Sequence, residues 1–312
     1  MQPAPLHADV AEGPPNGEAF WLQAADGVRF RAGLWRTGRR GTVLMFPGRT
    51  EYIEKYGRFA ADLAAQDYTT LVIDWRGQGL ADHLAPDPLV GHVRRFVDFQ
   101  QDVAALMAAA ERLTLPKPFH LVAHSMGGCI GLRALILGLP VASATFSAPM
   151  WGIGVKPHMR PAAWVITSLA RLAGLGTRYA PGTGPSTYVR DAPFADNSLT
   201  TDADMWAYMC RQVTTHPALA LGGPSMLWVN EALIEMSRLR RAPLPGTPTL
   251  VALGLQERVV NPAAVRAVMA RWPAAQFLEL PGSEHEMIME RPTIRGRFLQ
   301  AALAHFAKAG ND

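Results

Sequence analysis

A parallel α/β sheet covered by helices and interrupted by a helical insertion is the architecture that this 312-residue chain predicts. Three observations carry the expectation. Short apolar runs alternate with helical stretches, the pattern of a sheet buried on both faces. The alternation breaks between Pro149 and Pro248, a stretch with helical segments, Pro and Gly punctuation and no strand pattern. Composition agrees, since 49% hydrophobic and 18% charged residues suit a chain with a large core and argue against disorder.

The elements follow in order. Pro3, Pro5, Pro14 and Pro15 suggest a loose leader. Nothing in the first twenty residues forms the charged-then-apolar pattern of a signal peptide. Glu18 to Gln23 and Val28 to Trp35 read as strands joined by the Ala25-Asp26-Gly27 turn. Further strands are expected at Thr42 to Phe46, Thr69 to Ile73, Phe119 to Ala123, Val141 to Phe146, Thr249 to Leu253 and Gln276 to Leu280. Helices are expected between them at Lys55 to Gln66, Phe96 to Leu113, Gly128 to Leu137, Ala263 to Arg271 and Thr293 to Lys308. Within the insertion, Asp202 to Gln212 and Ser225 to Leu239 read as helical, while Gly174 to Gly184 and Pro243 to Pro248 read as loops. The chain thus divides into a first core part, 1–148, a helical cap, 149–247, and a second core part, 248–312.

Charge and cysteine content exclude several classes. A formal charge of +4, scattered apart from Arg238, Arg240 and Arg241, is too weak for a nucleic-acid partner. Cys129 and Cys210 make no disulfide framework, and Cys129 is expected to pack inside. The apolar stretch Ala162 to Ala170, between Arg160 and Arg171, is about half the length that crosses a bilayer. The expectation is a cytoplasmic protein, at most peripheral to a membrane.

The chemistry centres on Ser125. Phe119 to Ile130 reads as a strand, a sharp turn and a helix start, with the small residues Ala123 and Gly127 two positions either side of the serine. That is the nucleophile elbow, G-x-S-x-G with alanine in the first small position. A strained turn of this kind pushes the hydroxyl out of the sheet, next to the free N–H groups of a helix N-terminus. In α/β-hydrolases the serine is followed along the chain by an acid and then a histidine. Glu257 and His285 stand in that order, each just after a downstream strand, where sites in open α/β sheets form. His285 is the expected general base and Glu257 the residue that orients it. Glu284 and Glu286 are rivals for the acid role, and Glu257 has the alternative of a surface pairing with Arg258. His7, His83, His158 and His305 read as solvated or satisfied surface groups, and His124 as part of the elbow.

The first oxyanion donor is expected to be the backbone N–H of Met126. The second is expected in the loop Phe46-Pro47-Gly48-Arg49-Thr50-Glu51, at the N–H of Arg49. The Arg49 side chain either reaches the site or pairs with Glu51. No metal and no cofactor is expected. His285-Glu286-Met287-Ile288-Met289 lacks the second histidine of a zinc helix, and Gly77-Gln78-Gly79 does not continue as a dinucleotide loop.

With these residues assembled, the chain from Gly41 to Phe306 resembles serine hydrolases of the lysophospholipase and monoacylglycerol lipase family. The family's H-G-x-x-E, D-x-R-G-H-G-x-S, H-S-M-G-G, G-x-x-D-x-x-V and H-E segments correspond to Pro47–Glu51, Asp74–Ala81, His124–Gly128, Gly254–Val260 and His285-Glu286. Pro47, Gln78, Ala81 and Glu257 depart from the family's histidine, histidine, serine and aspartate. The resemblance implies a serine ester hydrolase acting through an acyl-enzyme on a small acyl substrate, a lysophospholipid or monoacylglycerol, with transient contact to membrane surfaces. Trp164, Ile166, Leu169 and Leu172 either meet the acyl chain or pack the cap onto the core. A small-molecule esterase remains open, as does an aminopeptidase or amidase on the same triad. The latter needs an acidic pocket, for which Asp191, Asp196, Asp202, Asp204 and Glu231 are the candidates. A non-catalytic binding protein fits the triad order poorly.

Overall fold

The computed structural model describes residues 1–154 and 160–309, with the side chains of 160–163 excepted. Its sheet has nine strands: β1 (Gln2–Ala4), β2 (Glu18–Gln23), β3 (Arg29–Trp35), β4 (Thr42–Phe46), β5 (Thr69–Asp74), β6 (Phe119–His124), β7 (Ser143–Ser147), β8 (Thr249–Gly254) and β9 (Ala275–Leu280). Their spatial order is β1-β2-β3-β5-β4-β6-β7-β8-β9. β1, β2, β3 and β5 pair antiparallel, and every pairing from β5 across to β9 is parallel. The continuous apolar runs fall where burial is two-sided: every residue of β4 to β8 is buried. β9, at the edge, is mostly exposed or half-buried.

The described helices are α1 (Ala8–Ala11), α2 (Gly57–Ala64), α3 (Phe99–Arg112), α4 (Met126–Ile136), α5 (Arg160–Leu172), α6 (Tyr188–Asp191), α7 (Ala203–Thr215), α8 (Met226–Leu239), α9 (Pro262–Met269) and α10 (Pro292–Ala309). α2 packs on β5, α4 on β4 and β6, and α10 on β7 and β8. Two expected helices begin later, behind 3-10 turns at Ile53–Tyr56 and Phe96–Asp98.

The N-terminal segment is not the loose leader that its prolines suggest. β1 pairs with β2, Pro3 opposite Phe20, as an edge strand permits for a residue without an N–H. α1 follows, and the hydroxyl of Tyr208 in α7 donates to the Ala11 carbonyl at 2.7 Å. His305 is buried rather than at the surface, and His158 lies outside the described residues.

Between β7 and β8 sits the cap, α5 to α8, in which the described residues form only isolated strand bridges. Side-chain caps start two of its helices, α7 and α8, Asp202 accepting from the Met205 N–H and Ser225 from the Trp228 N–H. α5 packs on α8, and α8 on α4. Thr167 and Ala170 are buried, whereas Trp164, Ile166, Leu169 and Leu172 face outward, Leu172 with 83% of its surface exposed. These four residues do not pack the cap onto the core.

Candidate active site

Ser125 joins β6 to α4 with φ 50° and ψ −115°, a conformation that costs a non-glycine residue roughly 1–3 kcal/mol. Neighbouring backbone holds it there. The Ser125 N–H donates to the Ser147 carbonyl at 3.0 Å, and its own carbonyl accepts from Met150 and Gly128 at 2.8 and 2.9 Å. The small residue two positions on is obligatory, because a β-carbon at Gly127 would collide with the Phe46 carbonyl.

The three residues expected to form a triad meet in one hydrogen-bonded chain. His285 Nε2 lies 2.9 Å from Ser125 Oγ and its Nδ1 lies 2.7 Å from Glu257 Oε2. An ionised carboxylate only accepts, so Nδ1 carries the proton and Nε2 is left to accept from the serine. The other Glu257 oxygen accepts from the Val259 and Val260 N–H groups at 2.6 and 2.9 Å. Burial works against ionisation of Glu257, but His285 and these N–H groups outweigh it and its pKa is lowered. The rivals point elsewhere. Glu284 pairs with Arg258 at 3.0 Å, Glu286 pairs with Lys55 at 2.6 Å, and Arg258 reaches Asp196 and Glu284 rather than Glu257.

The loop after β4 is equally determined. The Gly48 N–H donates to a Glu51 carboxylate oxygen. The Gln78 side chain straddles the loop, its Oε1 accepting from the Thr50 N–H at 3.1 Å and its Nε2 donating to the Gly48 carbonyl at 3.0 Å. Gln78 departs from the family pattern, and here its amide supplies both a donor and an acceptor to one turn. Between the two tethered groups, the Arg49 N–H has no acceptor among the described residues, and neither has that of Met126. Both are free for an oxyanion. The Arg49 side chain does not pair with Glu51; its Nη1 donates to the Gly222 carbonyl at 2.9 Å, and its Cζ lies 5.7 Å from the Trp228 ring centre.

Sequence reasoning missed a buried ionic cluster behind the histidine. Lys55 Nζ lies 2.7 Å from Glu51 and 2.6 Å from Glu286, and Tyr56 donates to Glu51. His124 Nε2 faces the same carboxylates at 3.3 and 3.5 Å, and its ring centre lies 4.7 Å from that of His285. Burial opposes charge on Lys55, His124 and Glu286, but the opposed charges outweigh it: Lys55 and His124 are raised, Glu286 falls well below the carboxylate range. Ligand atoms of Glu51, His124 and Glu286 lie within 4.8 Å of one another, yet Lys55 already supplies the cation between the two carboxylates. The i, i+4 spacing of Glu51 and Lys55 was the visible signal.

Ser125 and His285 open onto a cavity of about 280 Å³. Arg49, Thr50, Thr187 and Ser198 give it polar walls; Val189, Leu199, Met209 and Val259 give apolar ones. None of the five acids considered for an amino-group pocket lines it. Asp191, Asp196, Asp204 and Glu231 pair with Arg190, Arg258, Arg58 and Arg171, and Asp202 caps α7.

Comparison with known proteins gives this geometry a setting. Residues 37–292 match the hydrolase family described as Serine aminopeptidase, S33. The chain is 33% identical over 291 residues to Lysophospholipase L2 of Escherichia coli, covering 89% of this chain and 83% of that protein. It is 29% identical to Probable lysophospholipase L2 of Haemophilus influenzae, covering 86% of this chain and 83% of that protein. Among solved structures, a soluble variant of monoglyceride lipase from Saccharomyces cerevisiae superposes with a TM-score of 0.70 at 18% identity, covering 91% of this chain and 93% of that one. The family match spans more than half of the chain, which accordingly belongs to this hydrolase family and is an enzyme of the serine hydrolase superfamily on the α/β-hydrolase fold.

Proposed function

We propose that the protein hydrolyses carboxylic esters of monoacyl lipids, lysophospholipids foremost, through an acyl-enzyme on Ser125. The observation that carries this reading is the Glu257–His285–Ser125 chain of hydrogen bonds opening onto a cavity beside two unengaged N–H groups. Ser125 Oγ attacks the acyl carbon as His285 takes its proton, and the N–H groups of Met126 and Arg49 stabilise the oxyanion. Collapse breaks the ester bond, the alcohol leaves with the proton from His285, and water repeats the sequence to release the fatty acid.

Lipid as substrate is supported by the names of the relatives and by the outward apolar face of α5. The cavity is at the small end for a whole lipid, so the ester end enters it and the acyl tail runs along the cap, residues 149–247. No helix among the described residues is long and apolar enough to cross a membrane. Contact with lipid is peripheral in this reading, and two free cysteines fit a cytoplasmic setting. The family's description favours an aminopeptidase as the second reading, but the acids that would hold a substrate amino group are paired elsewhere.

The deciding assay is hydrolysis of lysophosphatidylcholine by the wild type, with Ser125→Ala as control and a short-chain ester and an aminoacyl amide alongside. Ser125-dependent fatty-acid release is expected to dominate. Preference for the short ester leaves a small-molecule esterase, and preference for the amide installs the peptidase reading instead.

A further inference from the structure

We propose that the Arg49 guanidinium, with the Thr187 hydroxyl, is a binding subsite for a phosphate group of the substrate, so that the enzyme selects phosphate-bearing monoacyl lipids over uncharged ones. The inference rests on the ester-hydrolase reading above and adds to it what the head-group side of the cavity recognises.

The charges around the cavity balance everywhere except at Arg49. Glu51 and Glu286 are matched by Lys55 and His124. Arg49 lines the same cavity as Ser125 and His285, and no carboxylate among the described residues comes within ion-pair distance of it. Of its five N–H donors, the protein uses one, on the Gly222 carbonyl. Burial without a counter-charge pulls its pKa down to about 10, which leaves it cationic at neutral pH. Arg49 is half-buried in the cavity wall, held by one carbonyl and the Trp228 ring, and a cation without a counter-charge in a reaction cavity marks a place where a ligand completes the charge.

Thr187 is the independent observation. It is 3% exposed, it lines the cavity, and its hydroxyl has no hydrogen-bond partner among the described residues. A guanidinium fork and a hydroxyl donor match the oxygens of a phosphate. The placement suits a glycerol backbone as well. The Arg49 N–H is a donor for the oxyanion formed at the ester carbon, and its guanidinium reaches away from it to the Gly222 carbonyl, on the side where a head group would lie.

The test is a selectivity ratio. kcat/KM is measured on lysophosphatidylcholine, lysophosphatidate and monoacylglycerol of one chain length, for the wild type, Arg49→Met, Arg49→Lys and Thr187→Val. Any damage to the oxyanion loop lowers all three substrates together and cancels in the ratio. The wild type is expected to favour both phosphate-bearing lipids, and Arg49→Met to reduce that preference by about 10- to 100-fold. Arg49→Lys, keeping charge without the fork, is expected to fall between. An unchanged ratio in Arg49→Met, or a wild type that favours monoacylglycerol, overturns the subsite and leaves the lipid reading standing. Should the wild type cleave only a short ester, the lipid reading fails, and glycerol 3-phosphate decides the subsite by itself. Competitive inhibition of the wild type that weakens at least tenfold in Arg49→Met supports it, and absence of inhibition overturns it. If Arg49→Met does not fold, Arg49→Lys and Thr187→Val carry the same measurements.

Discussion

Glu257 holds one carboxylate oxygen on two backbone N–H groups and turns the other to His285, so both ends of the longer side chain's carboxylate are fixed. Turnover of a short ester by Glu257→Gln is expected to drop by on the order of 10⁴-fold, as when the orienting acid of a serine triad is made neutral. Glu284→Gln, whose carboxylate turns to Arg258 rather than to the His285 ring, is expected to keep short-ester turnover within about threefold. The opposite ranking moves the acid role beside the histidine. His124 carries a separate, pH-dependent consequence. It is faced by Glu51, Glu286, Lys55 and His285. Its pKa is raised above the ordinary 6.5, so its contribution to stability is complete below that pH and lost as pH rises through the higher folded value. Glu286 has the opposite sign, since its pKa is depressed below 4.5 and its contribution disappears as pH falls through the lower folded value. A melting series from about pH 5 to pH 9 on wild type and His124→Asn should show the difference in Tm shrinking toward the alkaline end. A constant difference means that folding leaves the His124 pKa unshifted, and a difference that grows toward the alkaline end means that the ring is neutral in the folded protein.

At the scale of elements, strands were more legible than helix starts or the cap surface. Continuous apolar runs identify two-sided strands, and the expected spans of β2 and β4 coincide with those observed. The 3-10 turns before α2 and α3 were not legible, because their side chains are as buried and helix-compatible as those that follow. β1 was hidden for another reason: an edge strand tolerates the proline that a central strand forbids. α5 could be read either as a packing helix or as a contact surface, since amphipathicity does not say which neighbour covers an apolar face. Its outward Trp164, Leu169 and Leu172 settle the orientation. If this face meets lipid, replacing Leu169 and Leu172 by Asp together should weaken co-sedimentation with phosphatidylcholine vesicles by tenfold or more, since each buried leucine is worth about 1.5–3 kcal/mol. Short-ester turnover of the same variant reports whether the cap still folds. Unchanged co-sedimentation removes α5 from the lipid contact.

For the whole molecule, the fold class and the order serine, acid, histidine were legible because both are one-dimensional patterns. The ionic cluster and the bare charge of Arg49 were not, since each depends on which loops a parallel sheet sets side by side. Four strand ends, of β4, β6, β8 and β9, converge on one cavity from positions scattered between Arg49 and His285. The elbow is complete once β6 and β7 have paired, but His285 follows the edge strand β9, which is bonded only to β8. A nascent or clipped chain that stops before this strand therefore displays a strained serine whose hydroxyl is chemically ordinary. The order of the chain is thus also a safety catch: the hydrolytic centre gains its histidine only with the last strand, and fraying of that one edge takes it away again.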